Sequence, residues 1–556
     1  MGTHSAPNGQ RASKARSTRA IIPVLLLVVL LAVLLISSRS RPPVIQSIAP
    51  DIARTGDVVV IRGSNFGAAR NGAHVTLGGV VPTTAAYLSW GDDRISLRLP
   101  PEVSTGFMVV HGEHGASNGV LFANRDFLPV VVASPTRPGQ PFVAEVSPRS
   151  GAVGDRVVIT GKNFGLARGA SQVLFSSVAG IAADGEAPAG PTVISASDRD
   201  FDYESWSDTQ IAVRVPDGGA TGNLAVATDK GNSNEVFFEV TGKVGTKRIH
   251  SPLTYSVAYD VAVSNISARG DNSLYLWVPQ VWPAPEQRDI RLLAEEPEPL
   301  FADVGGVKVY HLRNLVTGGV YSVSQHYIFD RYAVETVVNP RRVVAYDTTS
   351  SLYERFTAAD ELVQSDAPAV LGLAAGLVRD EPNPWTRARA MYDWMRARVQ
   401  LAGERRGDVE ATLAERSGDS LDVVATFVAL LRAANVPARP VAGYLVQDRG
   451  SVAAHYWAEF FLQGFGWVPV DLVLGSGAVA VPLDPEAGAA NFFFGNLDNR
   501  HLAFSKGLVR TEQLTANGRT VQRPATANLQ LHHEEASGEL QAYTSRWGEL
   551  EVVGVY

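Results

Sequence analysis

Three short segments in the second half of the chain carry side chains able to do covalent chemistry. Gly418-Asp419-Ser420 opens an apolar stretch with helical spacing at Leu421, Val424, Val428 and Leu431. His455 and Trp457 sit in a strand-like run, and Asp471 closes a second such run just downstream. A hydroxyl, an imidazole and a carboxylate are the types that hydrolases combine as nucleophile, base and orienting acid. Each also has a structural use: Ser is among the best helix N-caps and Ser420 stands where a cap belongs, His455 can fill a half-buried strand position, and Asp471 can form a strand-end turn. The chain has no cysteine. Thiol catalysis, disulfides and thiolate metal sites are therefore excluded.

The sequence around these residues is more specific than the residues themselves. LAERSGDSLDVVATFVALLRAANVPARPVAGY starts at Leu413, AAHYWAEFF surrounds His455, and GWVPVD ends at Asp471. Taken in order, they resemble the core of the transglutaminase-like superfamily. There a Cys at a helix start, a His on one strand and an Asp on the next form a papain-type triad. The resemblance implies the triad positions Ser420, His455 and Asp471, with Ser420 where the family carries its Cys, and a groove that includes Tyr444, Trp457 and Trp467. Asn491 to Asp498 (NFFFGNLD) is similar to a segment that follows the Asp in bacterial relatives.

A helix N-terminus and an adjacent imidazolium ionise a thiol, but they cannot ionise a hydroxyl near neutral pH. Ser420 would need His455 to take its proton during attack, with Asp471 fixing the tautomer. Its backbone N–H could serve an oxyanion hole. Three function classes follow. The first is a membrane-anchored, non-catalytic protein that keeps the groove to bind a peptide, a glycopeptide or a partner protein. The second is a serine-dependent amidase, protease or acyl transferase. The third is a structural surface protein. No metal or other cofactor is expected.

A working triad sets a condition on the hairpin between the two strands. Side chains alternate along a strand, so His455 and Asp471 must share a face. A two-residue Gln463-Gly464 loop would turn them apart. A three-residue loop of Leu462, Gln463 and Gly464 would put Phe461 opposite Phe465 and His455 opposite Asp471, with Gly464 left-handed. The expectation is an imidazole nitrogen within about 3.2 Å of an Asp471 oxygen.

These elements stand within a multidomain chain, since 556 residues exceed what one core supports. Residues 20–36 are an uncharged apolar run preceded by Arg11, Lys14, Arg16 and Arg19. The run is long for a signal peptide and lacks a small-x-small cleavage site, so a transmembrane helix over 20–38 is expected. The basic tail 1–19 should stay cytoplasmic and the bulk of the chain should lie outside the cell membrane. The net charge of −7 includes that basic tail, so the remainder is more acidic still. That argues against nucleic acid as a partner; the transglutaminase-like resemblance implies a peptide or protein ligand, with cell-envelope components among the candidates.

Next comes an internal repeat: GDVVVIRGSNFG from Gly56 returns as GDRVVITGKNFG from Gly154, 98 residues on. Ser89-Trp90 returns as Ser205-Trp206, with about 18 extra residues placed between Ser177 and Asp200. The pattern resembles immunoglobulin-like IPT/TIG domains, here over 43–127 and 142–242, which implies two small β-sandwiches. His111 and His114 read as a solvated loop. Alternation of Leu253, Tyr255, Val257, Tyr259, Val261 and Val263 marks a half-buried strand in a third β region over 246–348. Helical signals then dominate up to Ala434, including Asn383-Pro384 as cap and first helical residue. The core is expected as an α+β unit over 355–475, and 476–556 as its extension with extra strands. His532-His533-Glu534-Glu535 reads as a surface patch, because strand neighbours point to opposite faces.

Overall fold

The computed structural model describes residues 41–556 except 102, 104–105, 125–138, 178–192, 243, 448–449, 478–487 and 524–525. The apolar run at 20–36 and the basic tail lie outside the described residues. No helix among the described residues is long and apolar enough to cross a membrane. The chain divides into two compact units, Met1–Val132 and Ala133–Tyr556.

The first unit is a two-sheet sandwich. One sheet orders Val44–Ala49, Val58–Ser64, Arg94–Arg98 and Tyr87–Trp90; the other orders Ile52–Ala53, Val120–Asn124, Gly106–Gly112 and His74–Leu77. Ile45, Ile61, Phe66, Leu97, Met108 and Phe122 fill the space between them. The repeated motif has a mechanical reason. Asn65 takes a left-handed φ of 62°, which turns Phe66 into the core and leaves its carbonyl to accept the Trp90 indole N–H at 3.1 Å. The histidine expectation needs correcting here. His111 lies in the strand Gly106–Gly112, stacked on His74 and 3.2 Å from the Thr76 hydroxyl, and only His114 is exposed in a turn.

The second unit begins with another sandwich of the same strand order: Phe142–Ser147, Arg156–Lys162, Gln210–Arg214 and Tyr203–Trp206 in one sheet. Asn163 repeats the φ of 62°, and Trp206 repeats the 3.1 Å bond to Phe164. Of the expected insert, 178–192 lies outside the described residues, and Val193–Ser195 forms an extra strand on Gln172–Ser177.

A long strand, Gly245–Pro279, then organises an eight-stranded sheet. Tyr255, Val257, Tyr259, Val261 and Val263 are all buried. Of the 476–556 extension expected after the core, His501–Lys506 adds a strand to the core sheet. Arg519–Val521, Glu534–Trp547 and Glu551–Val555 instead join the eight-stranded sheet. This also corrects the surface reading of the His-His-Glu-Glu run, for His533, Glu534 and Glu535 are buried. Glu534 is held by Arg523, Tyr543 and Trp547, and Glu535 accepts the backbone N–H groups of Leu514 and Thr515. Buried carboxylates persist only with such partners.

The core sheet orders Gly466–Val470, Val452–Leu462, Ala438–Val446 and His501–Lys506. Alternation splits its residues. Tyr456, Ala458, Phe460, Val468 and Val470 pack on the helices, chiefly Ser420–Ala433, which is buried from Leu421 to Arg432. A helix apolar on all sides belongs at the centre of a domain. Its one buried cation, Arg432, pairs with Asp360 at 2.8 Å and donates to the carbonyls of Ala438 and Ala358. On the other face, Trp457, Val441 and Ala503 meet Trp282, Leu474, Phe493 and Leu497.

Candidate active site

The start of the central helix is set by Asp419. Its carboxylate accepts the Asp422 N–H at 2.9 Å while Asp422 accepts the Asp419 N–H at 3.1 Å, a reciprocal capping box. Ser420 is therefore the first helical residue and not the cap, which corrects the structural explanation of this serine. Its hydroxyl has no hydrogen-bond partner among the described residues, and the side chain is half-buried. Three residues on, Val423 lines a small cavity with Leu472, Val473 and Ser476. The helix start and the segment after Asp471 are thus neighbours.

The hairpin has a three-residue loop, but one residue further along than expected, which moves every cross-strand partner by two. Phe461 pairs with Trp467 and Leu462 with Gly466, leaving Gln463, Gly464 and Phe465 as the turn. Gly464 and Gly466 are both left-handed, with φ of 78° and 98°. At Gly466 a Cβ would sit 2.1 Å from the Asp217 carboxylate, so the close approach of the second sandwich selects this register. A slip of two preserves facing. By continuation of the register Asp471 falls opposite Trp457, and His455 lies one same-face position away.

His455 and Asp471 consequently meet diagonally, with Nε2 donating to Oδ2 at 2.6 Å. Asp471 is fully buried and also caps the short helix Leu472–Gly475, its Oδ1 accepting the Leu474 N–H at 2.9 Å. With Nε2 committed, Nδ1 is the imidazole atom of His455 left to act as base, and it has no partner among the described residues. No hydrogen bond joins Ser420 to His455 among the described residues.

A third group was not legible as a site residue. His501, on the next strand but one from His455 and fully buried, sets Nε2 3.1 Å from the same Asp471 Oδ2 and Nδ1 2.7 Å from an Asp498 carboxylate oxygen. The signal that could have found it is its place three residues after Asp498, at the end of the NFFFGNLD segment. Burial alone would raise the Asp471 pKa, but the two imidazoles hold it well below the ordinary carboxylate range. Burial would likewise lower that of His501, but Asp498 and Asp471 push it up to about 9.

The ligand atoms of His455, Asp471 and His501 lie within 4.8 Å of one another. Zinc at its usual bond lengths holds tetrahedral ligands about 3.3 Å apart, wider than the 2.6 Å contact here. The separations are those of hydrogen bonds.

The three groove positions are all buried. Trp457 lies beside His455 with ring centroids 6.1 Å apart. Trp467 belongs to the second sandwich's core with Phe461, at the far end of the hairpin from Asp471. Tyr444 pairs with Ala454 while Gly443 pairs with His455, so Tyr444 points to the face away from the imidazole and packs on Phe504.

The comparisons with known proteins fit this anatomy. The family model of the transglutaminase-like superfamily matches residues 372–472, from the helices before Ser420 to just past Asp471. Residues 372–472 are a transglutaminase-like core. The IPT/TIG domain model matches residues 43–123, the first sandwich. An uncharacterized protein of Haemophilus influenzae is 30% identical over 158 residues, 22% of this chain. The match spans 42% of the length of that relative. A candidate cysteine protease from Cytophaga hutchinsonii is 17% identical, with a TM-score of 0.37, over 56% of this chain and 92% of its own. The periplasmic domain of TgpA from Pseudomonas aeruginosa is 17% identical, with a TM-score of 0.25, over 46% of this chain and 80% of its own.

Proposed function

We propose that the transglutaminase-like core is a serine-dependent acyl-transfer centre that hydrolyses or transfers an amide-linked acyl group. The observation that carries this reading is the 2.6 Å bond from His455 Nε2 to Asp471, which commits one nitrogen and leaves Nδ1 as the base atom. Ser420, relieved of capping by Asp419, supplies the hydroxyl. Its proton passes to Nδ1 as Oγ attacks the carbonyl carbon; the same proton then goes to the departing amine, and water or a second amine releases the acyl group. The substrate class is a peptide or glycopeptide of the cell envelope.

A fluorophosphonate probe tests the reading directly. Labelling should map to Ser420 and disappear in both Ser420→Ala and His455→Ala. Labelling that survives His455→Ala, or none on the folded wild-type chain, would overturn it. A second reading, a non-catalytic groove that binds its ligand, is favoured by the absence of a hydrogen bond between Ser420 and His455 among the described residues. On that reading Ser420→Ala leaves any cellular phenotype unchanged.

We also propose that residues 20–38 anchor the chain in the cell membrane, with the tail 1–19 cytoplasmic and the bulk of the chain outside. Support comes from the apolar run at 20–36 behind four basic residues. Protease added to intact spheroplasts should degrade the sandwiches and the core; full protection would reverse the orientation.

A further inference from the structure

We propose that His501 is a positioning residue of the His455–Asp471 pair, a fixed imidazolium whose charge on Asp471 adapts the site to a hydroxyl nucleophile. Its consequence for Ser420 rests on the acyl-transfer reading; its charge does not.

The argument begins with donor counting. A neutral imidazole has one N–H, yet His501 faces a carboxylate oxygen at each nitrogen, 2.7 Å at Nδ1 and 3.1 Å at Nε2. Two carboxylates accept at both ends only if both nitrogens are protonated. The setting holds that state. Asp498 precedes the strand, Asp471 closes the hairpin, and the His455 ring lies 5.4 Å away on the next strand but one. Arg331 and Tyr255 lie on the side of Asp498, and Tyr392 on that of Asp471. The remaining walls are the rings of Trp457 and Phe493. The upward displacement of its pKa to about 9 agrees with the donor count.

The consequence lies in how one carboxylate oxygen is shared. Asp471 Oδ2 serves both imidazoles, at 2.6 and 3.1 Å. A carboxylate already neutralised by one imidazolium holds a second one more weakly, because like charges oppose across a short buried distance. A cysteine site of this type rests as a thiolate–imidazolium pair and needs its histidine charged. A serine site needs its histidine neutral until attack. His501 thus favours the resting state that Ser420 requires, and it also pins the carboxylate plane against the Leu474 N–H.

Two measurements on the full chain test this. In the first, histidine imidazole nitrogens are read by long-range proton–nitrogen correlation, with His501 identified by loss of its signals in His501→Gln. Two protonated nitrogens at pH 8 are expected, and Asp498→Asn should lower the pH at which the second proton leaves by at least about one unit. A pyridine-type nitrogen at pH 7, or signals that change when a stoichiometric metal is removed, would overturn the imidazolium. In the second, Ser420→Cys supplies the chain's single thiol, and its alkylation by iodoacetamide reports the thiolate. Adding His501→Gln should raise the rate at pH 7 about tenfold, and adding His455→Ala to that pair should abolish the gain. If His501→Gln does not fold, Asp498→Asn in its place should act in the same direction. An unchanged rate would overturn the adaptation to a hydroxyl while leaving the imidazolium result standing. A gain that survives His455→Ala would instead sink the triad reading.

Discussion

Asp471→Asn should slow fluorophosphonate labelling of Ser420 by about 10³- to 10⁴-fold, the scale seen when a triad's orienting carboxylate becomes an amide. The reason is visible in the hydrogen bonds. Oδ1 accepts the Leu474 N–H at 2.9 Å, and Oδ2 accepts from His455 and His501 at 2.6 and 3.1 Å. An amide offers one acceptor and one donor group. Kept on Leu474, its oxygen turns the NH₂ toward both imidazoles, which drives the His455 proton from Nε2 to Nδ1 and removes the base lone pair. Flipped, the NH₂ meets the Leu474 N–H. An undiminished rate would remove Asp471 from the mechanism.

The same variant should change the pH dependence of stability. Asp471 has a depressed pKa, so its contribution is present at neutral pH and is lost as pH falls below the ordinary carboxylate range. His501 is displaced upward from 6.5 to about 9. Its contribution is complete below pH 6.5 and is lost as pH rises through about 9. The cluster therefore stabilises most between these limits. Asp471→Asn should flatten the acid limb and weaken the alkaline one, as read from melting temperature against pH.

The second large effect concerns the joint between the second sandwich and the core. Arg439 is buried, donates to Glu459 at 2.9 Å and to Asp200, and lies 3.8 Å over the Trp467 ring. Lys506 continues the network to Glu459 at 2.8 Å and Glu286 at 3.1 Å. Arg439→Met should cost about 3–5 kcal/mol, because Glu459 stays buried with half of its partners gone. Replacing Glu459 by Met as well should recover a large part, since Lys506 keeps Glu286 and the half-exposed Asp200 can be hydrated. Denaturation followed by tryptophan fluorescence reports this locally, with Trp467 against the guanidinium. A single-variant cost below about 1 kcal/mol would show that burial of the aromatic rings alone holds the joint.

What the sequence determined were the features encoded within a few residues of each other. The Asn-Phe-Gly turn and its tryptophan partner repeat because a left-handed asparagine and one indole bond suffice to build each sandwich edge. Residue alternation placed Tyr255 to Val263 on one face, and Asn383 capped its helix with Pro384 behind it. The stretch 413–471 likewise carried the likeness to the transglutaminase-like core in its own order.

Only the tertiary structure decided the rest, because those choices depend on neighbours distant in the chain. The hairpin register follows from Asp217 lying against Gly466, some 250 residues away. Capping passed to Asp419 because Asp422 returns the bond, which left the Ser420 hydroxyl without that duty. Trp467 and Tyr444 were lost to the interior because the second sandwich and the β region cover their faces. His501 was out of reach for the same reason. A histidine three residues after an aspartate is unremarkable in sequence, and it becomes part of the site only when its strand lies beside Ala438–Val446 and sets its ring on Asp471.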